Sequence, residues 1–289
     1  MRVNTTINVG GRLVDLSSPL VMGIVNVTPD SFFEGSRNTA PEQIAARVDE
    51  AVGEGAQILD LGGYSSRPGA SEVTPQEELR RVSAAMRIIR KRYPEMVVSL
   101  DTFRAWVAER VIEEYGAVIV NDISSGELDP QMIPTVARLK VPYLAMHMRG
   151  TPSTMQTLTD YDDVTAEVVR YFSHKVDNLV QAGIDDIILD PGFGFAKTVE
   201  QNFELLGRMS DLRILGRPIL AGISRKTMIW KTLDIQPTEA LNGTTALHWE
   251  CLRQGASILR VHDVKEAVQT VKLFNMYQKK NAESTKNRN

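Results

Sequence analysis

Short aliphatic and β-branched runs recur along the chain, and the stretches between them return an apolar residue every three or four positions. The runs are Leu20 to Val25, Ile58 to Leu61, Val97 to Leu100, Val118 to Val120, Tyr143 to Met146, Ile187 to Leu189, Ile219 to Ile223 and Ile258 to Val261, eight in all. Strands this nearly all-apolar are buried on both faces, which means parallel strands under a layer of helices. The intervening stretches carry helix-boundary signals: Pro41 opening "PEQIAARVDEAVGEG", Thr74-Pro75 before "QEELRRVSAAMRIIRKRY", and Asp160 before the long segment that ends at Gly183. Eight strand-helix units predict a single (β/α)8 barrel, the TIM-barrel architecture, with a doubly wound sheet as the alternative. Ahead of the first unit, "TTINVGGRLVDLS" alternates around Gly10-Gly11 and predicts a β-hairpin placed to cap the bottom of the barrel. The barrel domain is expected to span 1–279, with 280–289 a disordered polar tail.

Composition narrows the setting. A chain of 289 residues accommodates one barrel of about 250 residues. An apolar content of 43% and a charged content of 24% suit a soluble globular protein. The net charge of −3 argues against a generic nucleic-acid or membrane surface, so an anionic ligand has to be met by a local cluster of cations. Cys251 is the only cysteine, which excludes a disulfide framework and fits a reducing cytosol. Neither a signal peptide nor an apolar run of about 20 residues is visible, and a cytoplasmic protein without membrane or nucleic-acid partners is expected.

In such a barrel the residues that close each strand face the site. In order they are Asn26, the Gly62-Gly63-Tyr64-Ser65 exit, Asp101, Asn121-Asp122, His147, Asp190, Ser224 and His262. Turns are polar in any fold, so no single member decides anything. Together, however, Asp101, Asn121 and Asp190 put two carboxylates and an amide into one cavity, a set suited to a heterocycle with amino and N–H donors beside a carbonyl. Histidines stand only at 147, 174, 248 and 262, without the pairing of a histidine-rich zinc site, and no Gly-x-Ser-x-Gly elbow exists. Cations gather at three of the same exits: Arg67, Arg225-Lys226, and Arg260 with His262. Loops after strands seven and eight often hold phosphate in barrels. Arg260 and His262, two apart on one strand, project to one face. Thr227 is placed to begin a helix whose N–H groups favour a carboxylate.

The segments "VMGIVNVTPDSFFEG", "ILDLGGYSSRPG", "VSLDTFR", "VIVNDISSG", "MHMRGTP", "ILDPGFGFAKT", "GISRK" and "LRVHDV" resemble, in order and spacing, the signatures of dihydropteroate synthase over residues 18 to 275. The resemblance implies a homodimeric barrel enzyme of folate biosynthesis. Its reaction would join 6-hydroxymethyl-7,8-dihydropterin diphosphate to 4-aminobenzoate by an SN1-like, Mg2+-assisted loss of diphosphate, with sulfonamides as competitive inhibitors. It also implies a pterin pocket of Asp101, Asn121, Asp190 and Lys226 walled by Ile123, Met146 and Phe195. The implied diphosphate site is Asn26, Ser66, Arg67, Arg260 and His262, with Asn26 the magnesium ligand. Phe32, Pro68, Phe195, Lys226 and Thr227 would hold 4-aminobenzoate, and Asp101, Lys226, Arg260 and His262 would carry the catalysis.

Two positions depart from the family pattern. Ser65-Ser66-Arg67-Pro68 stands where many members read Ser-Thr-Arg-Pro, and Glu34 where many carry Asp. A pterin-dependent methyltransferase and a non-catalytic pterin-binding homologue are the alternatives; the Arg67, Lys226, Arg260 and His262 cluster argues against the first. Met86, His174, His248 and Cys251 are expected to be core or surface groups, and Asp122 a loop brace.

Overall fold

The computed structural model describes residues 4–27, 40–64 and 72–286. The barrel strands are β3 (Leu20–Asn26), β4 (Ile58–Gly62), β5 (Val97–Asp101), β6 (Ile119–Asp122), β7 (Tyr143–Met146), β8 (Ile187–Asp190), β9 (Leu220–Ala221) and β10 (Ile258–Val261), after a hairpin of β1 (Thr6–Val9) and β2 (Arg12–Asp15). All eight barrel strands pair in parallel in the order β8-β7-β6-β5-β4-β3-β10-β9, and a bridge from Leu189 to Ile219 closes the ring. Each apolar run of the sequence therefore contributes one stave. The seventh is the shortest, because Pro218 has no N–H to donate and Gly222 follows at once.

Alternation along the strands sorts their side chains into two cores. Outward residues such as Val25, Leu61, Leu100, Val120 and Leu189 pack under the helices in one large cluster. At the bottom of the interior, Met22, Ile58, Val97, Ile119, Leu144, Ile188, Leu220 and Ile258 meet Ile7, Val9, Val14 and Leu16 of the hairpin. The hairpin is thus the plug its position predicted. Each fully buried side chain of this size is worth roughly 1.5–3 kcal/mol.

The helices are α1 (Ala40–Gly53), α2 (Pro75–Arg92), α3 (Ala105–Tyr115), α4 (Met132–Leu139), α5 (Val164–Gln181), α6 (Val199–Gly207), α7 (Thr227–Leu233), α8 (Leu241–Arg253) and α9 (Val264–Lys286). Thr74 caps α2 by accepting from the Glu77 N–H at 3.2 Å, with Pro75 in the first turn. The start of α5 differs from expectation: the cap is Asp163, which accepts from Ala166 N–H at 2.8 Å, while the Asp160 carbonyl accepts from Arg149. The two aspartates stand three positions apart, and only the later one abuts the helical period. α9 runs to Lys286, so helix occupies most of the 280–289 stretch expected as a disordered tail. Met86, His248 and Cys251 are buried among the helices, and His174 is exposed. No helix among the described residues is long and apolar enough to cross a membrane.

Candidate active site

Strand register assembles the mouth of the barrel. Asn26, Gly62, Asp101 and Asn121 are successive partners across β3, β4, β5 and β6. The rim on this side therefore reads amide, glycine, carboxylate, amide. Gly62 leaves a notch in it: a Cβ there would lie 3.4 Å from Asn26 Oδ1 and 3.7 Å from Asp101 Oδ2.

Below this rim runs a polar network that strand-end reading does not find. Arg260 donates from Nε to Asp60 Oδ2 at 2.6 Å and from Nη2 to Asp101 Oδ2 at 2.8 Å. Asp60, fully buried, also accepts from Ser99 Oγ at 2.6 Å and Asn121 Nδ2 at 3.1 Å. Burial works against the Arg260 charge, but Asp60 and Asp101 outweigh it and raise its pKa further. Burial lifts Asp101 above the usual carboxylate range; Arg260 opposes the shift, and Asp60 and Glu78 reinforce it. Asp60 and Ser99 were detectable as the polar residues inside two otherwise apolar strands.

Across the barrel, Asp190 ends β8 and accepts the Gly192 N–H on Oδ1 at 2.8 Å. Burial raises its pKa, against the attraction of nearby Lys226. Lys226 donates to the Phe193 carbonyl and sits over the Phe195 ring, 4.9 Å from its centroid. Burial lowers its pKa to about 8, with Asp190 resisting. Ile123 and Met146 belong to one apolar cluster with Met148, Met155 and Ala196, and Phe103 and Phe195 pack against it. The structure thus brings the three expected wall residues together and adds Phe103 and Met148.

The remaining cations divide. His262 turns its ring to Ser224, Nδ1 to Oγ 3.1 Å, and its carbonyl accepts from Arg47 at 2.8 Å. Arg225 is not part of the anion cluster: it grips Asp263 through Nε at 2.9 Å and Nη2 at 2.6 Å. That clamp ties the loop after β9 to the end of β10. Thr227 is exposed at the first position of α7, as expected. Asp122 faces outward and braces its loop, accepting from Tyr143, Ser124 and Gly126. Phe32, Glu34, Ser66, Arg67 and Pro68 lie outside the described residues.

The buried Lys197 was also missed, because lysine is usually a surface residue. Its Nζ lies 3.0 Å from His147 Nδ1, the Gly192 carbonyl and the Phe195 carbonyl, pinning the loop that carries Asp190 to the end of β7. Burial lowers the His147 pKa to about 2, so the ring is neutral, and beside a protonated Lys197 it accepts at Nδ1 and carries its proton on Nε2. Burial lowers Lys197 to about 7, with Asp190 opposing. The folded chain then binds this proton less tightly than the unfolded chain, whose lysine titrates near ~10.4. Wild-type stability should therefore rise relative to Lys197→Met between pH 7 and 10, by up to ~1.4 kcal/mol per pH unit. Urea unfolding at pH 6.5 and 9 checks this; parallel pH dependences would contradict it.

Gly192 holds the same loop by a close approach. Its φ is +70°, and a Cβ would stand 2.0 Å from the His147 carbonyl oxygen. Gly192→Ala is expected to cost about 1–2 kcal/mol from backbone strain alone, with the clash against the His147 carbonyl added to it, and to displace Asp190. Thermal unfolding measures the first effect; an unchanged melting temperature would refute it.

Chemically, the mouth offers acceptors at Asp190 and Asn121 for a donor-rich heterocycle, the Arg260 and Lys226 charges and the His262 ring for an anion, and Asp101 for a developing positive charge. Comparison with known proteins points the same way. The family model described as pterin binding enzyme matches residues 22–262. The dihydropteroate synthase of Escherichia coli (strain K12) is 43% identical over 265 residues, covering 91% of this chain and 93% of that protein. The Xanthomonas albilineans dihydropteroate synthase with 4-aminobenzoic acid superposes with a TM-score of 0.87 at 38% identity, over 95% of this chain and 98% of that one. The enzyme from the same organism in complex with 7,8-dihydropteroate gives a TM-score of 0.84 at 36% identity, over 94% and 98%. The Yersinia pestis dihydropteroate synthase with a sulfonamide drug complex gives a TM-score of 0.88 at 38% identity, over 95% and 99%.

Proposed function

Because the chain belongs to the dihydropteroate synthase family of pterin-binding enzymes, we propose that its barrel mouth joins 6-hydroxymethyl-7,8-dihydropterin diphosphate to 4-aminobenzoate, forming 7,8-dihydropteroate and diphosphate. The observation that carries this reading is the convergence of buried acceptors, Asp190 and Asn121, with an arginine held between two carboxylates, Asp60 and Asp101. Asp190 accepts from the pterin 2-amino and N3 hydrogens, Asn121 meets the adjoining edge, and Lys226 donates to the carbonyl side. Ile123, Met146 and Phe195 flank the rings.

Asn26, Arg260 and His262 take the diphosphate. As its bond to the pterin methylene breaks, positive charge spreads onto the pterin and Asp101 stabilises it. Opposite unit charges ~4 Å apart attract by about 4 kcal/mol at an effective dielectric of ~20. The neutral arylamine nitrogen, positioned by Phe195, the methylene stem of Lys226 and Thr227, then attacks the methylene and releases its proton. The proposed roles of Phe32, Ser66, Arg67 and Pro68 rest on the family pattern alone.

Magnesium fits the donor set as a shared ion. No group of three or more His, Cys, Asp or Glu among the described residues could hold a metal, whereas the hard oxygen of Asn26 borders the notch over Gly62. Mg2+ keeps waters and takes substrate phosphate oxygens, so one protein oxygen suffices. Charge points the same way: Asp60 and Asp101, when ionised, already balance the Arg260 charge, so a divalent cation would add to what the side chains offer a diphosphate. When bound, the ion would neutralise charge on the departing diphosphate.

The same reading makes the protein a cytoplasmic homodimer that sulfonamides inhibit by competing with 4-aminobenzoate. Exposed Leu273, Met276 and Tyr277 on α9 support an apolar dimer face. With pure protein, diphosphate release should require both substrates and stop in excess EDTA. Full turnover in EDTA would remove the metal from the reaction. Pterin binding without turnover would favour a non-catalytic homologue.

A further inference from the structure

A fully buried carboxylate lies beneath the mouth, between groups assigned to different parts of the substrate. Asp60 Oδ1 accepts from Ser99 Oγ at 2.6 Å and Asn121 Nδ2 at 3.1 Å, while Oδ2 accepts from Arg260 Nε at 2.6 Å. We propose that Asp60 is a positioning residue that orients both the Asn121 carboxamide and the Arg260 guanidinium, and thereby couples recognition of the pterin to recognition of the diphosphate. The inference rests on the assignment of this mouth as the pterin diphosphate site.

An ionised carboxylate only accepts hydrogen bonds. Asn121 must therefore point its NH2 at Asp60 and keep its carbonyl oxygen turned away; the flipped amide would set two acceptors against each other. That fixes which end of the amide a pterin edge meets. Arg260 is fixed by the same group. Asp60 Oδ2 lies 2.6 Å from both Nε and Nη2, and Asp101 Oδ2 accepts from Nη2 at 2.8 Å, so two carboxylates define the plane of the guanidinium. A shift of Arg260 toward an anion loosens its bond to Asp60, and the same carboxylate holds Asn121. Hydrogen bonds linked in this way in a low-dielectric interior polarise one another. Strand register makes the arrangement possible: Asp60 pairs with Ile24 on one side and Ser99 on the other, one inward layer below Gly62.

Asp60→Asn keeps the shape and replaces one acceptor with a donor. Calorimetry on the full-length protein would use 6-hydroxymethylpterin and inorganic diphosphate with Mg2+, first separately and then each in the presence of the other. Both affinities should fall tenfold or more, while the KM for 4-aminobenzoate changes less than threefold. In the wild type, saturating diphosphate should change pterin affinity at least threefold, and Asp60→Asn should abolish that linkage. A purely structural role would lower the melting temperature and leave the linkage intact.

Ser99→Ala removes one donor to Asp60 without touching Asn121 or Arg260, and it keeps the idea testable if Asp60→Asn fails to fold. It should weaken both ligands two- to fivefold. A folded Asp60→Asn protein with either affinity unchanged overturns the inference, as does a Ser99→Ala protein that weakens neither ligand or only one. A wild-type protein that binds neither probe and makes no product overturns the proposed function instead, and this inference with it.

Discussion

Arg260→Ala should cost the protein both its anion site and part of its stability. The side chain is the shared partner of Asp60 and Asp101, at 2.6 and 2.8 Å. Removing it leaves a fully buried carboxylate and a partly buried one without their cation. Breaking a buried pair from one side typically costs 3–5 kcal/mol. Diphosphate affinity is expected to fall at least ~30-fold, the lower end for a buried charge partner, while 4-aminobenzoate binding changes little. Urea unfolding and calorimetry with each ligand separate the two effects. Arg260→Lys should recover part of the stability but less of the diphosphate binding, since an ammonium cannot reach both carboxylates in the guanidinium plane. Equal losses for diphosphate and 4-aminobenzoate would move Arg260 out of the anion site.

Asp190→Asn should remove pterin binding without emptying the pocket. One oxygen of Asp190 is already occupied by the Gly192 N–H. Asparagine can satisfy that bond only by turning its NH2 toward the pterin, donor against donor. Alternatively it can serve the pterin and strand the Gly192 N–H. Either way a buried hydrogen bond to a charged group is lost, about 1.5–3 kcal/mol, or roughly tenfold or more in affinity. Lys226 also loses the neighbour that resists its fall in pKa. Its pKa should drop below about 8 in the variant, making activity more sensitive to alkaline pH. Calorimetry with 6-hydroxymethylpterin is the check, and an unchanged affinity would refute the bidentate assignment.

The barrel was legible because parallel strands buried on both faces leave nearly all-apolar runs. The hairpin plug was legible because alternation around Gly10-Gly11 supplies a face for the barrel floor. The strand ends and the cations beside them named Asp101, Asn121, Asp190 and Arg260 as neighbours; Asp60 joins Asn121 to Arg260, and Arg260 joins Asp101. Asp60 lies inside its strand, not at its end, so strand ends do not reveal it, although a carboxylate within an apolar strand is a strong signal. Lys197 gave no such signal: its partners are two backbone carbonyls and a histidine 50 positions away. The partners of Arg225 and Arg260 were equally hidden. A sequence shows where cations gather at a mouth, but only the fold shows that Arg225 is held by Asp263 while Arg260 faces the site.

In the proposed mechanism diphosphate leaves the pterin methylene before the arylamine attacks, an order that positional isotope exchange can detect. The substrate would be pterin diphosphate carrying 18O in the bridge between the methylene and phosphorus, incubated with protein and Mg2+ but without 4-aminobenzoate. Reversible ionisation lets the diphosphate rotate before it recombines, so the label should appear in non-bridging positions, and Asp101→Asn should slow that exchange. A label that stays in the bridge, in a protein that still makes 7,8-dihydropteroate when 4-aminobenzoate is added, would contradict the account and require direct displacement.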